Sequence, residues 1–398
     1  MTYLAAGCFL LLLYSYVGFP LLIALLARLR PRKWRMDETY RPTVSIILPA
    51  FNEALVLRRC LESLLAQNYP QEKIEILCGS DGSTDQTNVI LNEIADQNSI
   101  IRPFFFHRQR GKMLTLNDLV SKAQNEILLF VDADVTLNPN AVLSHVRHYV
   151  DVSVGGVAGR LIFASERSDG IFRSESTFLS FESNLRRNEA EIGSTVGLYG
   201  GNYSIRRTLW KQLPDDRVYD DFFAVLTIVS GGWRLLYEEG AISTEIYGRN
   251  YQEESARKKR NASRCLYTLR FVPRSLFQGS TAWLLWPHKI LRWTTGFLVL
   301  AVIIGSVGTY LNGADWVLPF LIVEVVSAIL ILAGGAARNA KRPIPIASGL
   351  YWFFSMNVAF MLGVIDFLLS RHEPIWNQTT RLGEIDRNTV VEQEATHP

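Results

Sequence analysis

The stretch Ile127-Leu128-Leu129-Phe130-Val131-Asp132-Ala133-Asp134 decides the fold class. Its apolar run is short and bounded by polar residues, so it reads as a buried strand, and the acids mark where the strand ends. Two runs of the same kind come before it. Val44-Ser45-Ile46-Ile47-Leu48 closes at Pro49, and Ile74-Glu75-Ile76-Leu77-Cys78 closes at Gly79-Ser80-Asp81-Gly82. Between these two, residues 54–67 carry apolar side chains at helical spacing. After the second, Ser83-Thr84-Asp85 offers capping groups for a helix running toward Asp96. Strand then helix, repeated, predicts an α/β domain with a mostly parallel, Rossmann-like sheet. Such sheets bind ligands beyond the carboxyl ends of their strands, which is where these acids stand.

The residue types at those ends point to phosphate and sugar chemistry. Asp132 and Asp134 are hard oxygen donors of the kind Mg²⁺ and Mn²⁺ prefer, with waters and substrate phosphates completing the shell. Two acids in a loop are also ordinary solvated surface, and their place after a buried strand favours the binding reading. Asp81 adds a third acid on the same rim, suited to accept hydrogen bonds from a base or ribose, although Asp-Gly-Ser-Thr-Asp is equally turn chemistry. Arg110-Gly111-Lys112 precedes a helical stretch and offers cations to phosphate oxygens; alone it is a solvated basic loop. The segment from Gly197 to Asn202 lets backbone approach a ligand, or is simply a tight connection. Asp220-Asp221 opens a helix, where acids suit the dipole in any case. A transfer to a hydroxyl also needs a base, and Asp221 is the candidate.

Around this domain lie long apolar blocks. The chain has 398 residues, 48% of them hydrophobic, which is high for a purely soluble enzyme. Residues 3–29 carry no charge until Arg28, enough length for a membrane-spanning helix. They lack the basic start and cleavage pattern of a signal peptide, so an anchor is expected. Arg28, Arg30, Arg32, Lys33 and Arg35 follow, a cluster that normally stays cytoplasmic, and the domain after it is expected on that side. Residues 294–311, 316–335 and 343–369 form three more blocks, with Arg338, Lys341 and Arg342 between the last two. The final block contains Asn357 and Asp366, and crossing, kinking and re-entry all remain open for it. Residues 263–293 mix Leu, Phe and Trp with basic residues, suited to the lipid headgroup layer or to a surface helix.

The expected organisation is an anchor over 1–30, a cytoplasmic α/β domain over 41–262, an interface segment over 263–293, transmembrane helices over 294–370 and a polar tail over 371–398. A net charge of +3 argues against a nucleic-acid partner, and four scattered cysteines without a CxxC pair are expected as free thiols.

Read in order, Pro49-Ala50-Phe51-Asn52-Glu53, Ser80-Asp81-Gly82-Ser83-Thr84-Asp85, Arg110-Gly111-Lys112, Asp132-Ala133-Asp134 and Asp220-Asp221 resemble the motif set of family-2 inverting glycosyltransferases of the GT-A fold. The membrane layout is similar to the cellulose-synthase and hyaluronan-synthase branch. The resemblance implies that Ala50, Glu53 and Asp81 contact the nucleoside, Lys112 the diphosphate side and Asp132 the ribose or diphosphate. It further implies that Asp134 holds Mg²⁺ or Mn²⁺ and that Asp221 is the base. The implied partners are a nucleotide-sugar donor, expected to be UDP-linked, a polysaccharide or lipid-linked acceptor, and membrane lipid. The Gln-x-x-Arg-Trp motif of processive synthases does not follow Asp221. Its nearest counterpart is Glu253-Glu254-Ser255-Ala256-Arg257-Lys258-Lys259-Arg260, where Arg257 is the candidate for holding the leaving diphosphate, or else faces anionic lipid. The alternative is a catalytically silent, nucleotide-binding membrane scaffold of a polysaccharide-export complex. Retention of Asp81, Asp132, Asp134 and Asp221 together disfavours it.

Overall fold

The computed structural model describes residues 1–164, 170–246, 251–339 and 344–371. Its centre is a sheet of β1 (Val44–Ala50), β2 (Ile74–Asp81), β3 (Ile101–Phe106), β4 (Ile127–Phe130), β5 (Val135–Leu137), β6 (Val154–Ala164), β7 (Tyr203–Arg206) and β8 (Arg234–Ile246). The strand order is β3-β2-β1-β4-β7-β6-β8-β5. The half from β3 to β4 is parallel throughout, as the strand–helix alternation predicts. Beyond it the sheet is mixed: β7 runs antiparallel to β4 and β6, β6 and β8 are parallel, and β5 closes the edge antiparallel to β8.

β1 is paired on both sides and buried along its whole length, which is why its sequence is a continuous apolar run rather than an alternation. Successive side chains go to opposite faces. Ile46 and Leu48 join Leu57, Leu61 and Leu91 from the helices Leu57–Leu65 and Thr87–Gln97. Ile47 joins Met113, Leu116 and Leu119 from the helix Lys112–Lys122.

Two local expectations shift. β2 continues past Gly79, because Ser80 and Asp81 still pair with Phe105 and Phe106 of β3. The helix expected from residue 54 begins at Leu57, because the preceding turn is tied elsewhere: the N–H of Glu53 donates to Thr87 Oγ1 at 2.8 Å and that of Ala54 to Asp85 Oδ2 at 3.1 Å.

Among the described residues three helices are long and apolar enough to cross a membrane: Thr2–Leu29, Asp315–Arg338 and Pro345–Leu368. Gly279–Trp293 and Thr295–Leu311 qualify only as a pair, bent by 66°. The inner end of the first helix belongs to the domain, since Phe19 and Ile23 are buried in the same cluster as Ile47. The basic linker after it docks as well. Arg32 N–H donates to Glu191 O at 2.7 Å, and the Arg234 guanidinium donates to the carbonyls of Arg32 and Lys33. Lys341, Arg342 and the polar tail beyond residue 371 lie outside the described residues.

Pro345–Leu368 runs beside the polar helix Tyr251–Thr268 in the same direction. Tyr351 stacks on Tyr251 at 5.5 Å, Asp366 pairs with Lys259 at 2.8 Å, and the Phe367 ring lies under Arg270 at 4.9 Å. Asp366, an acid in an apolar block, thus has its cation on the neighbouring helix. The two backbones touch at Gly363, where an added Cβ would lie 2.3 Å from Lys259 O. Gly363→Val should therefore force the helices apart and lower the thermal unfolding midpoint, at an overpacking cost of about 1–3 kcal/mol. An unchanged midpoint in the same detergent would contradict this pairing.

Candidate active site

Asp81 ends β2 fully buried. Its Oδ2 accepts the backbone N–H groups of Arg110 at 3.0 Å and Gly111 at 2.7 Å. Its Oδ1 has no hydrogen-bond partner among the described residues. The two loops meet backbone to backbone: at Gly82, with φ +70°, an added Cβ would stand 2.4 Å from Arg108 C and Gln109 N. Only glycine permits that approach, so motifs separated in sequence form one structural unit. Arg110 lies over the Phe106 ring at 3.7 Å and pairs with Asp118 at 2.8 Å.

Lys112, the first residue of its helix, joins two more motifs. Its Nζ is 2.8 Å from Asp132 Oδ1 and 3.1 Å from Asp220 Oδ2. Asp220 and Asp221 open the helix Asp220–Ser230, and both are buried. The loop left open between ligand approach and simple connection lies against these acids: an added Cβ at Gly200 would be 3.0 Å from Asp221 Oδ2. Nearby, Tyr199 donates its hydroxyl to Glu245.

Charge in this site is unbalanced. Burial pushes the Asp132 carboxyl up; Lys112 pulls it back, and Asp134 and Asp220 push it up again, leaving it raised. Asp221 is raised well above the usual carboxylate range by burial and then by Asp220, with Lys112 and Lys289 only partly opposing them. Burial works against the Lys112 ammonium, but Asp132 and Asp220 outweigh it and raise it above the usual lysine value. Asp132, Asp134, Asp220 and Asp221 thus crowd together electrostatically, with Lys112 as the cation in contact. Such an excess of hard anionic oxygen suits a divalent cation. No group of three or more His, Cys, Asp or Glu residues is arranged to hold a metal among the described residues. A set of two carboxylates is nevertheless what a Mg²⁺-type ion takes when phosphates and waters supply its other ligands.

Of the remaining expected residues, Ala50 ends β1 opposite Ser80, and Glu53 is buried just beyond it. Arg257 is engaged inside the chain. Its Nε and Nη2 donate to Glu254 at 3.0 and 2.6 Å, and Nη2 also reaches Glu175 at 3.3 Å. Lys258 pairs with the same two acids. Sequence reasoning missed Lys289, which it left in a headgroup-layer segment and which acts on Asp221. Nothing in a basic, aromatic stretch distinguishes a residue that turns toward the domain.

Residues 45–213 match the family described as Glycosyl transferase family 2. The probable glycosyltransferase YdaM of Bacillus subtilis is 24% identical over 277 residues, 66% of this chain and 57% of that protein. A beta-monoglucosyldiacylglycerol synthase of Nostoc sp. is 27% identical over 181 residues, 45% of this chain and 39% of that one. The chain spans about half the length of the curated relatives it matches. Among solved structures, the mannosyltransferase PcManGT of Pyrobaculum calidifontis, in complex with GDP-Man and Mn²⁺, superposes with a TM-score of 0.71 at 20% identity, covering 93% of this chain and all of that one. The chain therefore carries a glycosyl transferase family 2 domain, matched over residues 45–213 and built on a GT-A fold.

Proposed function

We propose that this protein transfers a sugar, with inversion, from a nucleotide-sugar to the hydroxyl of a polysaccharide or lipid-linked acceptor at a membrane surface. The observation that carries the reading is Lys112 bridging Asp132 and Asp220 beside the buried Asp221, next to an Asp81 clamped by Arg110 and Gly111.

In this reading Asp81 accepts from the donor's base through Oδ1, with Ala50 and Glu53 beside it. Lys112 faces the diphosphate and Asp132 the ribose or diphosphate. Mg²⁺ or Mn²⁺ held by Asp134, with Asp132, would supply neutralisation of the diphosphate charge. Asp221 takes the proton of the acceptor hydroxyl as the new bond forms at the anomeric carbon and the bond to the diphosphate breaks. Its raised proton affinity suits that task. Arg257 serves the leaving diphosphate only by giving up part of its hold on Glu254 and Glu175.

The proteins it resembles give the first compounds to test: GDP-mannose beside UDP-sugars as donors, and diacylglycerol beside glycans as acceptors. Purified protein in lipid bilayers should release nucleoside diphosphate from one of these donors once an acceptor is present. No release from any of them by folded, metal-supplied protein would reject the reading in favour of a silent scaffold.

The domain is placed in the cytoplasm, on the side of Arg28 to Arg35. All four native cysteines are buried, so a Gln86→Cys variant carries a single accessible thiol. An impermeant maleimide should label it only after cell lysis. Labelling in intact cells would reverse the orientation.

A further inference from the structure

A second charged cluster lies between the acid site and the apolar helices. The helix Gly170–Ile192 supplies Glu182, Arg186 and Glu189; the segment just before the 66° bend supplies His288, Lys289 and Arg292. Glu182 Oε2 is 3.1 Å from His288 Nε2, 3.4 Å from Arg186 and 3.5 Å from Lys289, while its Oε1 accepts from Arg292. Glu189 Oε1 is 2.7 Å from His288 Nδ1, and its Oε2 accepts from Thr195 and Val196. Both ring nitrogens of His288 thus face carboxylate oxygens. Burial pushes Glu182 up, but Lys289, His288 and Arg292 outweigh it and hold it well below the usual carboxylate value.

The acids do not match the cations. Within the cluster itself, Arg186, Lys289 and Arg292 outnumber Glu182 and Glu189, and beyond it Lys289 acts on Asp221. The Arg292 side chain is 8% exposed, yet its Nε and Nη2 have no acceptor among the described residues, and neither has Arg186 Nε. Buried donors are as a rule matched, so these nitrogens call for an acceptor that the network itself does not supply. An anion with several oxygens would match them, and phosphate suits paired guanidinium groups best.

The position indicates what carries the anion. A Cβ at Gly197 would lie 3.0 Å from Arg186 Nε and 3.4 Å from Lys289 Nζ, and three residues on, Gly200 touches Asp221. The cluster is thus one short loop from the proposed base, whereas the donor elements Asp81 and Lys112 sit at the sheet rim. Its other side is apolar. Arg292 lies over the rings of Tyr16 and Phe181, Ser15 donates to Pro287 O at 2.8 Å, and the Tyr16 hydroxyl bonds Thr295 and Asn357, where three apolar helices meet. We propose that Arg186, Lys289 and Arg292 bind the phosphate head of an amphiphilic acceptor and so present its hydroxyl to Asp221. This inference rests on the transferase reading above for the purpose of the site, but its test needs neither donor nor turnover.

Equilibrium binding of radiolabelled dodecyl phosphate to the purified full chain in detergent is the measurement, with dodecanol and inorganic phosphate as competitors. Dodecyl phosphate should bind at least about tenfold tighter than either competitor, a difference worth one decade in Kd. Lys289→Gln, at the cluster's most exposed member, should weaken it at least about tenfold, while Lys289→Arg keeps it and metal-dependent binding of nucleoside diphosphate is unchanged in both. Thermal unfolding confirms folding, and Arg186→Gln gives a second variant with the same expected loss. Three results would overturn the proposal: dodecanol binding as tightly, which marks an apolar site; inorganic phosphate binding as tightly, which marks a free-anion site; or a folded Lys289→Gln that binds like the parent. None of them bears on donor binding, so a failure here leaves the transferase reading standing, and a failed donor screen leaves this binding result readable.

Discussion

Asp221→Asn should lower sugar transfer by at least about 100-fold while donor affinity survives, because a positioned general base contributes about 10²–10⁴-fold and asparagine keeps the shape without taking the proton. The raised proton affinity of Asp221 gives the prediction a pH signature. The base acts ionised, so kcat/KM of the parent should fall as pH drops through an inflection above the ordinary carboxylate range. The same shift bears on stability. A carboxyl raised in the fold binds its proton more tightly there than in the unfolded chain, so this group's contribution to stability declines as pH rises from the unfolded value through the folded one. Asparagine removes that term, and the variant's unfolding midpoint at neutral pH should equal or exceed the parent's. Asp220→Asn is the informative comparison. The sequence leaves Asp220 as a helix-start residue, but in the fold it contacts Lys112 at 3.1 Å. It should therefore weaken donor binding more than Asp221→Asn does and impair transfer less. Transfer abolished at Asp220 and kept at Asp221, with folding and donor binding matched, moves the base by one position. Transfer kept in both removes the mechanism.

What the sequence discloses depends on whether a contact is local. β1, β2 and β4 are legible because each is a buried apolar run closed by turn residues, and their helices because the apolar spacing changes. β3 is not, since Pro103 argues against a strand; it is tolerated because β3 stands at the sheet edge. The mixed half is opaque for another reason. β6 is interrupted by Gly155, Gly156, Gly159 and Arg160, and its parallel partner β8 lies about 80 residues away, so no local pattern gives the register. The site divides in the same way. Every acid on the rim is visible as a strand-end or helix-start motif, but that Lys112 would bind Asp132 and Asp220 together follows only from the sheet order. Arg257 is the opposite case: its position suited a diphosphate, and the fold surrounds it with Glu254 and Glu175, the first of which lies one helical turn before it. The Arg186 cluster combines both. Glu182, Arg186 and Glu189 share a helix face by spacing, while the cations opposite them come from about 100 residues further on.

Removing a metal ligand should produce the other large effect. Asp134→Ala is expected to abolish the dependence of nucleoside diphosphate binding on Mg²⁺ or Mn²⁺, because a divalent ion with two protein carboxylates keeps too little hold once one is gone. Loss of even an outer-shell partner typically costs 10–100-fold in metal affinity, so at least about a tenfold weakening is the minimum for a direct ligand. The charge balance supplies a control. Burial raises the Asp132 carboxyl first, and Asp134 and Asp220 push it further up against the pull of Lys112, so in metal-free buffer Asp134 contributes repulsion at this site. Deleting Asp134 should then leave the metal-free protein at least as resistant to heat as the parent, which separates loss of the ion from loss of the fold. Titration calorimetry of nucleoside diphosphate with and without Mn²⁺, alongside metal-free unfolding, reads both arms. A folded Asp134→Ala protein whose nucleotide affinity still rises with metal as the parent's does would show that the ion sits elsewhere. The strand-end pair would then be left to the ribose and diphosphate alone.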